Sequence, residues 1–290
     1  MRKIMIFSIC TLLSVAAYGY NCMLSSIEGT YSSASIKGIA RDLAFYNDTC
    51  YIISGDGTKL LMTKSNGAAV SNPFSSITFN IAMRIEVDDQ YVFVLEWDAL
   101  KVYNKRGVFQ YTIPAPNVMY FWVKNKQEIM LVFQDKISVY NYNTRALLTS
   151  TTAYKFIGNR DDFLNDGNKL YNVCSKLTTY EYKGGTIHSN DITTPLYRSL
   201  GKDLHYLSSF VGSETLWFNY FDRSKAFFVN SAFNTVVRNC SSFLPTSKNP
   251  TRDQIEMESG VPRLRIFSGG SHVVNLSSNK IEFYRLLYFW

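Results

Sequence analysis

Residues 83–113 read MRIEVDDQYVFVLEWDALKVYNKRGVFQYTI. Apolar and polar side chains alternate over 83–87 and break at Asp88-Asp89. They alternate again over 91–96, break at Trp97-Asp98, and resume over 99–104 and 107–113. A period of two marks a half-buried β-strand, and the breaks fall on turn-forming residues. The stretch predicts four antiparallel strands joined by tight turns: A (83–87), B (91–96), C (99–104) and D (107–113).

The pattern recurs. Shifted back 40 residues, Tyr91 falls on Tyr51, Phe93 on Ile53, Leu100 on Leu60, Val102 on Met62 and Gly107 on Gly67. Shifted forward 37, Val92 falls on Ile129, Asp98 on Asp135, Leu100 on Ile137 and Tyr103 on Tyr140. A fourth copy runs over 163–185 with Tyr180 in the Tyr103 position, and a looser fifth runs through 216–230. The sixth, 181 residues downstream, aligns without a gap: Ile266 on Ile85, Val273 on Val92, Ile281 on Leu100 and Tyr284 on Tyr103. Six copies near a 40-residue spacing predict an all-β fold, a six-bladed β-propeller, because one blade cannot bury both its faces and copies must stack in a ring. A β-sandwich is the competing architecture, since its strands also recur every 8–12 residues.

The ends carry a second signal. The sixth copy stops after its strand C, while GTYSSASI (29–36) has the opening and alternation of a strand D. The N-terminal strand is expected to complete the last blade and close the ring, which removes the open sheet edge. A single propeller domain over 20–290 follows, and a monomer is expected.

The phrase IEVDDQYVFVLEWDALKVYNKRGVF resembles NHL and YVTN-type propeller repeats: an apolar-x-apolar-Asp turn, a Tyr-Val-rich strand B, an apolar-x-Val-Tyr strand C and a Gly opening strand D. The resemblance covers the first three copies well, the fourth and sixth fairly and the fifth poorly. It implies the architecture. Propellers of this kind include RNA-binding modules, protein-binding ectodomains, lactonases and lyases, so the fold does not select a function.

Composition changes the picture at the N-terminus. Arg2-Lys3, an apolar run from Ile4 to Val15 and the small residues around Gly19 predict a signal peptide over 1–19 and an exported protein. The chain has 30 basic and 23 acidic residues, 28 against 23 without the leader, and no basic run. That argues against nucleic acid as a partner. No later segment is long enough to be a transmembrane span. Beyond Cys10 in the leader, Cys22, Cys50, Cys174 and Cys240 make an even number for an oxidising compartment. In a propeller the A–B and C–D loops share one face, and the B–C and D–A loops the other. On that layout Cys22 is expected to pair with Cys50, and Cys174 with Cys240. Asn47, in the Asn47-Asp48-Thr49 sequon, is the expected glycosylation site.

Candidate chemistry gathers on the B–C face. Trp97 sits at the tip of a turn between Glu96 and Asp98, where an apolar ring gains nothing from exposure unless something stacks on it. Asp98, Asp135, Asp222 and Arg223 lie in equivalent turns, and the long insertion 240–260 belongs to the same face. These residues are the expected ligand-binding set of a secreted module that recognises a protein or glycan. The alternative is a Ca²⁺-dependent hydrolase of lactonase type, with Asp56 and Glu96 as candidate ligands beside the other carboxylates. No catalytic residue and no cofactor other than such a Ca²⁺ is expected. The three histidines, His188, His205 and His272, fall in different radial layers, and no Gly-x-Ser-x-Gly occurs.

Overall fold

The computed structural model describes residues 21–24, 27–152, 163–173, 176–202, 205–211, 214–219, 226–240, 265–266 and 272–288. The first described strands are β1 (Asn21–Leu24) and β2 (Gly29–Ser32). A three-stranded antiparallel sheet follows, β3 (Asp42–Tyr46), β4 (Thr49–Ile53) and β5 (Leu60–Lys64). The second sheet holds β6 (Arg84–Val87), β7 (Tyr91–Leu95), β8 (Ala99–Asn104) and β9 (Phe109–Pro114). The third holds β10 (Tyr120–Val123), β11 (Glu128–Val132), β12 (Lys136–Asn141) and β13 (Ala146–Thr152). The fourth holds β14 (Phe163–Asn165), β15 (Leu170–Val173), β16 (Leu177–Lys183) and β17 (Thr186–Asp191). Helix α1 (Pro195–Lys202) connects it to β18 (His205–Val211), β19 (Glu214–Asn219), β20 (Ala226–Asn230) and β21 (Val236–Cys240). The chain ends with β22 (Arg265–Ile266), β23 (His272–Ser277) and β24 (Lys280–Tyr288).

These last seven strands join the N-terminal pair in one nine-stranded sheet, ordered β18-β19-β20-β21-β1-β24-β23-β22 with β2 also on β24. Strand β2 lies antiparallel to β24, with Gly29 opposite Phe283 and Ser32 opposite Lys280. The N-terminal segment therefore supplies a strand beside the last one, as the alternation of 29–36 predicts. The strand is shorter than that segment: Ala34–Ile36 is a 3-10 turn whose first amides are met by Ser33, whose Oγ accepts from Ser35 N at 3.1 Å.

The four strands expected at 83–113 fall within two residues of β6 to β9. Antiparallel pairing runs in sequence order, with Ile85 opposite Val94, Val92 opposite Tyr103 and Val102 opposite Tyr111. The first copy differs by lacking a strand D. Past Gly67 only a single bridge forms, Thr63 to Ala69. Pro73 has no N–H for a ladder, and the Asn72 side chain instead donates to Leu60 O at 2.8 Å.

Second strands are buried along both faces. In β4, β7 and β11 every residue after the first is buried. Such strands need a neighbour on each side, and apolar clusters supply it. Tyr51, Ile53 and Phe74 pack with Val92, Val94 and Tyr103 between the first and second sheets. Phe93 and Leu95 pack with Phe121, Ile129 and Tyr142 between the second and third. Met130 and Val139 pack with Phe163 and Tyr180 between the third and fourth. Tyr171 and Leu177 meet Trp217, Phe233 and the helix residues Tyr197 and Leu200. Finally, Leu43, Cys50 and Ile52 of the first sheet pack with Val274, Leu276, Ile281 and Phe283 of the last. The recurring tyrosines belong to this packing: Tyr103, Tyr180 and Tyr284 are buried, and desolvation first, then Glu96, pushes the Tyr103 hydroxyl up to about 12.

The first strand of each sheet leaves N–H groups without a ladder partner on its inner edge. Carboxylates of the preceding sheet meet two of them. Asp42 in β3 accepts from Ile85 N in β6 at 2.8 Å, and Glu86 in β6 accepts from Val123 N in β10 at 2.7 Å. Arg84 lies over the Tyr120 ring, 4.2 Å from its centroid, and the Tyr120 hydroxyl accepts from Asn165 Nδ2 in β14 at 3.1 Å. First strand is tied to first strand through four sheets.

The expected Cys22–Cys50 bond does not form. Cys50 is a free thiol, 0% exposed within the cluster around Phe283. Cys22 lies opposite Tyr288, five residues along β24 from Phe283, or about 17 Å at the usual strand rise. Cys174 lies outside the described residues, and so do 1–20 and the loop 241–264.

Two outcomes are expected. Asp42→Ala strands the Ile85 N–H and should lower unfolding free energy by about 2 kcal/mol in urea titrations, whereas Asp42→Asn, which keeps an acceptor, should lose less. Gly29→Ala should be at least as damaging, about 2 kcal/mol or more, because an added Cβ would sit 1.6 Å from Asn66 O in the turn after β5.

Candidate functional site

Each antiparallel sheet has two ends. One carries the turns between its first and second and between its third and fourth strands. Polar groups at that end are used between sheets. Tyr142 OH donates to Asp88 at 2.9 Å, and Lys126 pairs with Asp89 at 2.5 Å. Lys105 Nζ lies 2.8 Å from the centroid of the Tyr46 ring. Asn47 projects at this end in the turn between β3 and β4, exposed and with φ of 51°.

The opposite end carries the turns between second and third strands and the connections from sheet to sheet. Here Trp97 is 59% exposed, in the turn joining β7 to β8. The turn is pinned from behind. Glu96 N donates to Ala99 O at 2.8 Å, and Asp98 O accepts from Ala115 N at 3.0 Å. Glu96 itself is buried and forms an ion pair with Lys101 at 2.8 Å. A buried Glu, a protruding Trp and an exposed Asp thus follow one another on a held loop, and most of the indole surface faces solvent.

A second exposed apolar group lies at the same end. Ile81, two residues before the Met83 N–H that donates to Leu95 O, is 45% exposed. Its φ is 55°, a left-handed backbone that β-branched residues avoid. The neighbouring Ala82 N–H donates to Gly57 O at 2.8 Å, which locks this segment onto the turn after β4. A strained backbone that presents an apolar side chain to solvent is a pointer to function. The sequence reading missed Ile81, because a β-branched residue next to a strand pattern reads as the start of a strand.

The predicted residues separate into three groups. Trp97 and Asp98 share one turn, and Asp135 is exposed in the equivalent turn between β11 and β12. Asp222 and Arg223 lie outside the described residues. Asp56 and Glu96, the candidate metal ligands, are each engaged by a lysine. Asp56 accepts from Lys37 Nζ at 2.6 Å, Ser54 Oγ at 2.6 Å and Thr58 Oγ1 at 2.8 Å. Partial burial pushes the Asp56 carboxyl up, but Lys37, Ser54 and Thr58 outweigh it and hold it well below the usual carboxylate range. Among the described residues no group of three or more His, Cys, Asp or Glu is arranged to hold a metal ion. Nor is any helix among them long and apolar enough to cross a membrane.

No protein-family model matches the sequence, and no curated protein sequence matches it. Similarity appears in three dimensions. The β-propeller domain of Cps50 (Swd1) from Myceliophteria thermophila superposes with a TM-score of 0.52 at 9% identity, over 85% of this chain and 83% of that one. The N-terminal domain of Nup159 gives 0.49 at 10% identity, over 93% and 96%. BamB from Moraxella catarrhalis gives 0.42 at 9% identity, over 84% and 68%. Consecutive antiparallel sheets packed face to face and the likeness to the Cps50 domain agree: the architecture of this chain is that of a β-propeller.

Proposed function

We propose that the chain is a secreted six-bladed propeller that binds a protein or glycan through the end carrying Trp97 and Ile81. The exposed indole of Trp97 on its pinned turn is the observation that carries this reading. A large aromatic held in water by a rigid loop is the usual anchor of a binding surface, because burying it on a partner releases much apolar area at little entropic cost. Ile81 extends the apolar area, and Asp98 and Asp135 give it an acidic border. The sequence repeat assigns Asp222, Arg223 and the 240–260 insertion to this same binding end, as part of this reading. The opposite end is a poorer candidate, since its charges are matched within the fold.

The reading of six blades is supported by the four separate sheets and by dividing the nine-stranded sheet into a β18–β21 unit and a β22–β24 unit joined by β2. The cluster joining Cys50 and Ile52 to Phe283 supports a ring in which the last blade meets the first. A leader over 1–19 would deliver the protein outside the cell.

The test compares wild type with Trp97→Ala. Trp97 is mostly exposed and belongs to none of the buried clusters, so the variant should melt within about 2 °C of wild type. Its capture of ligand from extracellular material, or its glycan-array signal, should fall at least about tenfold. A normal melt with undiminished binding would remove Trp97 from the site.

A further inference from the structure

The parallel pairing of β1 with β21 is short. It consists of Asn21 opposite Asn239 and Cys22 opposite Cys240. Of the cysteines in the chain, two thus fall on one rung of one ladder. Neighbouring strands run about 4.8 Å apart, inside the Cα separation of about 4.4–6.8 Å that a disulfide spans. The rung is also a junction. Cys22 lies opposite Tyr288 of β24 on its other side, so β1 is the piece that links the β18–β21 unit to the last strand. A two-rung ladder frays readily, and fraying here would separate the β18–β21 unit from β24 and leave an open edge on each.

We propose that Cys22 and Cys240 form a disulfide that staples the N-terminal strand to β21. Cys50 does not compete for this pair. Cys50 is sealed in the packing around Phe283, where burial raises its thiol well above the ordinary range and keeps it protonated. The chemistry is thiol–disulfide exchange with a low-molecular-weight disulfide such as oxidised glutathione. One cysteine thiolate attacks a glutathione sulfur, forms a mixed disulfide and expels glutathione thiolate. The second cysteine then attacks the mixed disulfide and expels the other. Two protein thiols are oxidised to one disulfide, one glutathione disulfide is reduced to two thiols, and the two protons pass to the departing thiolates. Joining positions 22 and 240 closes a loop of about 220 residues, the kind whose closure restricts the unfolded chain most.

The proposal depends on the secreted reading only for the source of oxidant, so the experiment supplies the oxidant itself. Full-length protein is equilibrated with oxidised glutathione, alkylated, and digested with trypsin without reduction. Mass spectrometry should find the fragment ending at Lys37, which carries Cys22, joined to fragment 239–248, which carries Cys240. Reduction, Cys22→Ser and Cys240→Ser should each lower the melting temperature by the same amount, on the order of 10 °C. The double variant should melt no lower than either single one. Cys22 joined to Cys50 or Cys174, or Cys22 and Cys240 both alkylated after oxidation, would overturn the proposal. So would a double variant that loses the sum of the two single losses. The peptide map is read on the wild-type chain and decides the matter even if a variant fails to fold.

Discussion

The second strands β4, β7 and β11 are buried on both faces, and the stacking of the sheets follows from having to bury both. Val92, Val94, Phe93 and Leu95 of β7 are each 0% exposed, the first two against the first sheet and the others against the third. A lone four-stranded sheet would leave both of those faces wet, at a cost of roughly 1.5–3 kcal/mol per large side chain. Each sheet is therefore both core and cover for its neighbours. A mutation in one cluster weakens two sheets, and no sheet is a folding unit alone.

Stacking creates a second problem at the inner edge, and the carboxylates of Asp42 and Glu86 address it. Each stands on the first strand of one sheet and accepts a backbone N–H from the first strand of the next. Charged acceptors in a poorly solvated place make these bonds stronger than neutral ones. They also set direction, since the acceptor belongs to the earlier sheet and the donor to the later one. Turns at the two ends divide the remaining work. One end knits sheets together through Asp88, Asp89, Lys126 and Tyr142, which frees the other to present Trp97, Ile81, Asp98 and Asp135.

Much of the fold was legible because a period of two and a spacing near 40 residues are local properties of the chain. The strands of 83–113, the Tyr103-type positions and the use of 29–32 beside the last strand could all be read from alternation alone. What escaped depends on residues distant in sequence or on the exchange of one local signal for another. The first copy lost its strand D because Asn72 and Pro73 replace the ladder. Helix α1 was not expected from the strand pattern; its start is Thr194-Pro195, a cap followed by a helix-starting proline, where Thr194 Oγ1 accepts from Tyr197 N at 3.1 Å. Cys50 was assigned to a bond because its apolar setting comes from Phe283, more than 200 residues away. Glu96 looked free for a ligand because the reach of Lys101 across the turn is a matter of side-chain geometry.

The central claim is that the sheets hold one another, first strand to first strand, through buried contacts. Amide hydrogen exchange under native conditions reads this residue by residue. The Ile85 and Val123 amides have no ladder partner, yet they should exchange as slowly as the central-strand amides of β7 and β11. Exchange of those two amides at the rate of exposed turn residues would contradict the account.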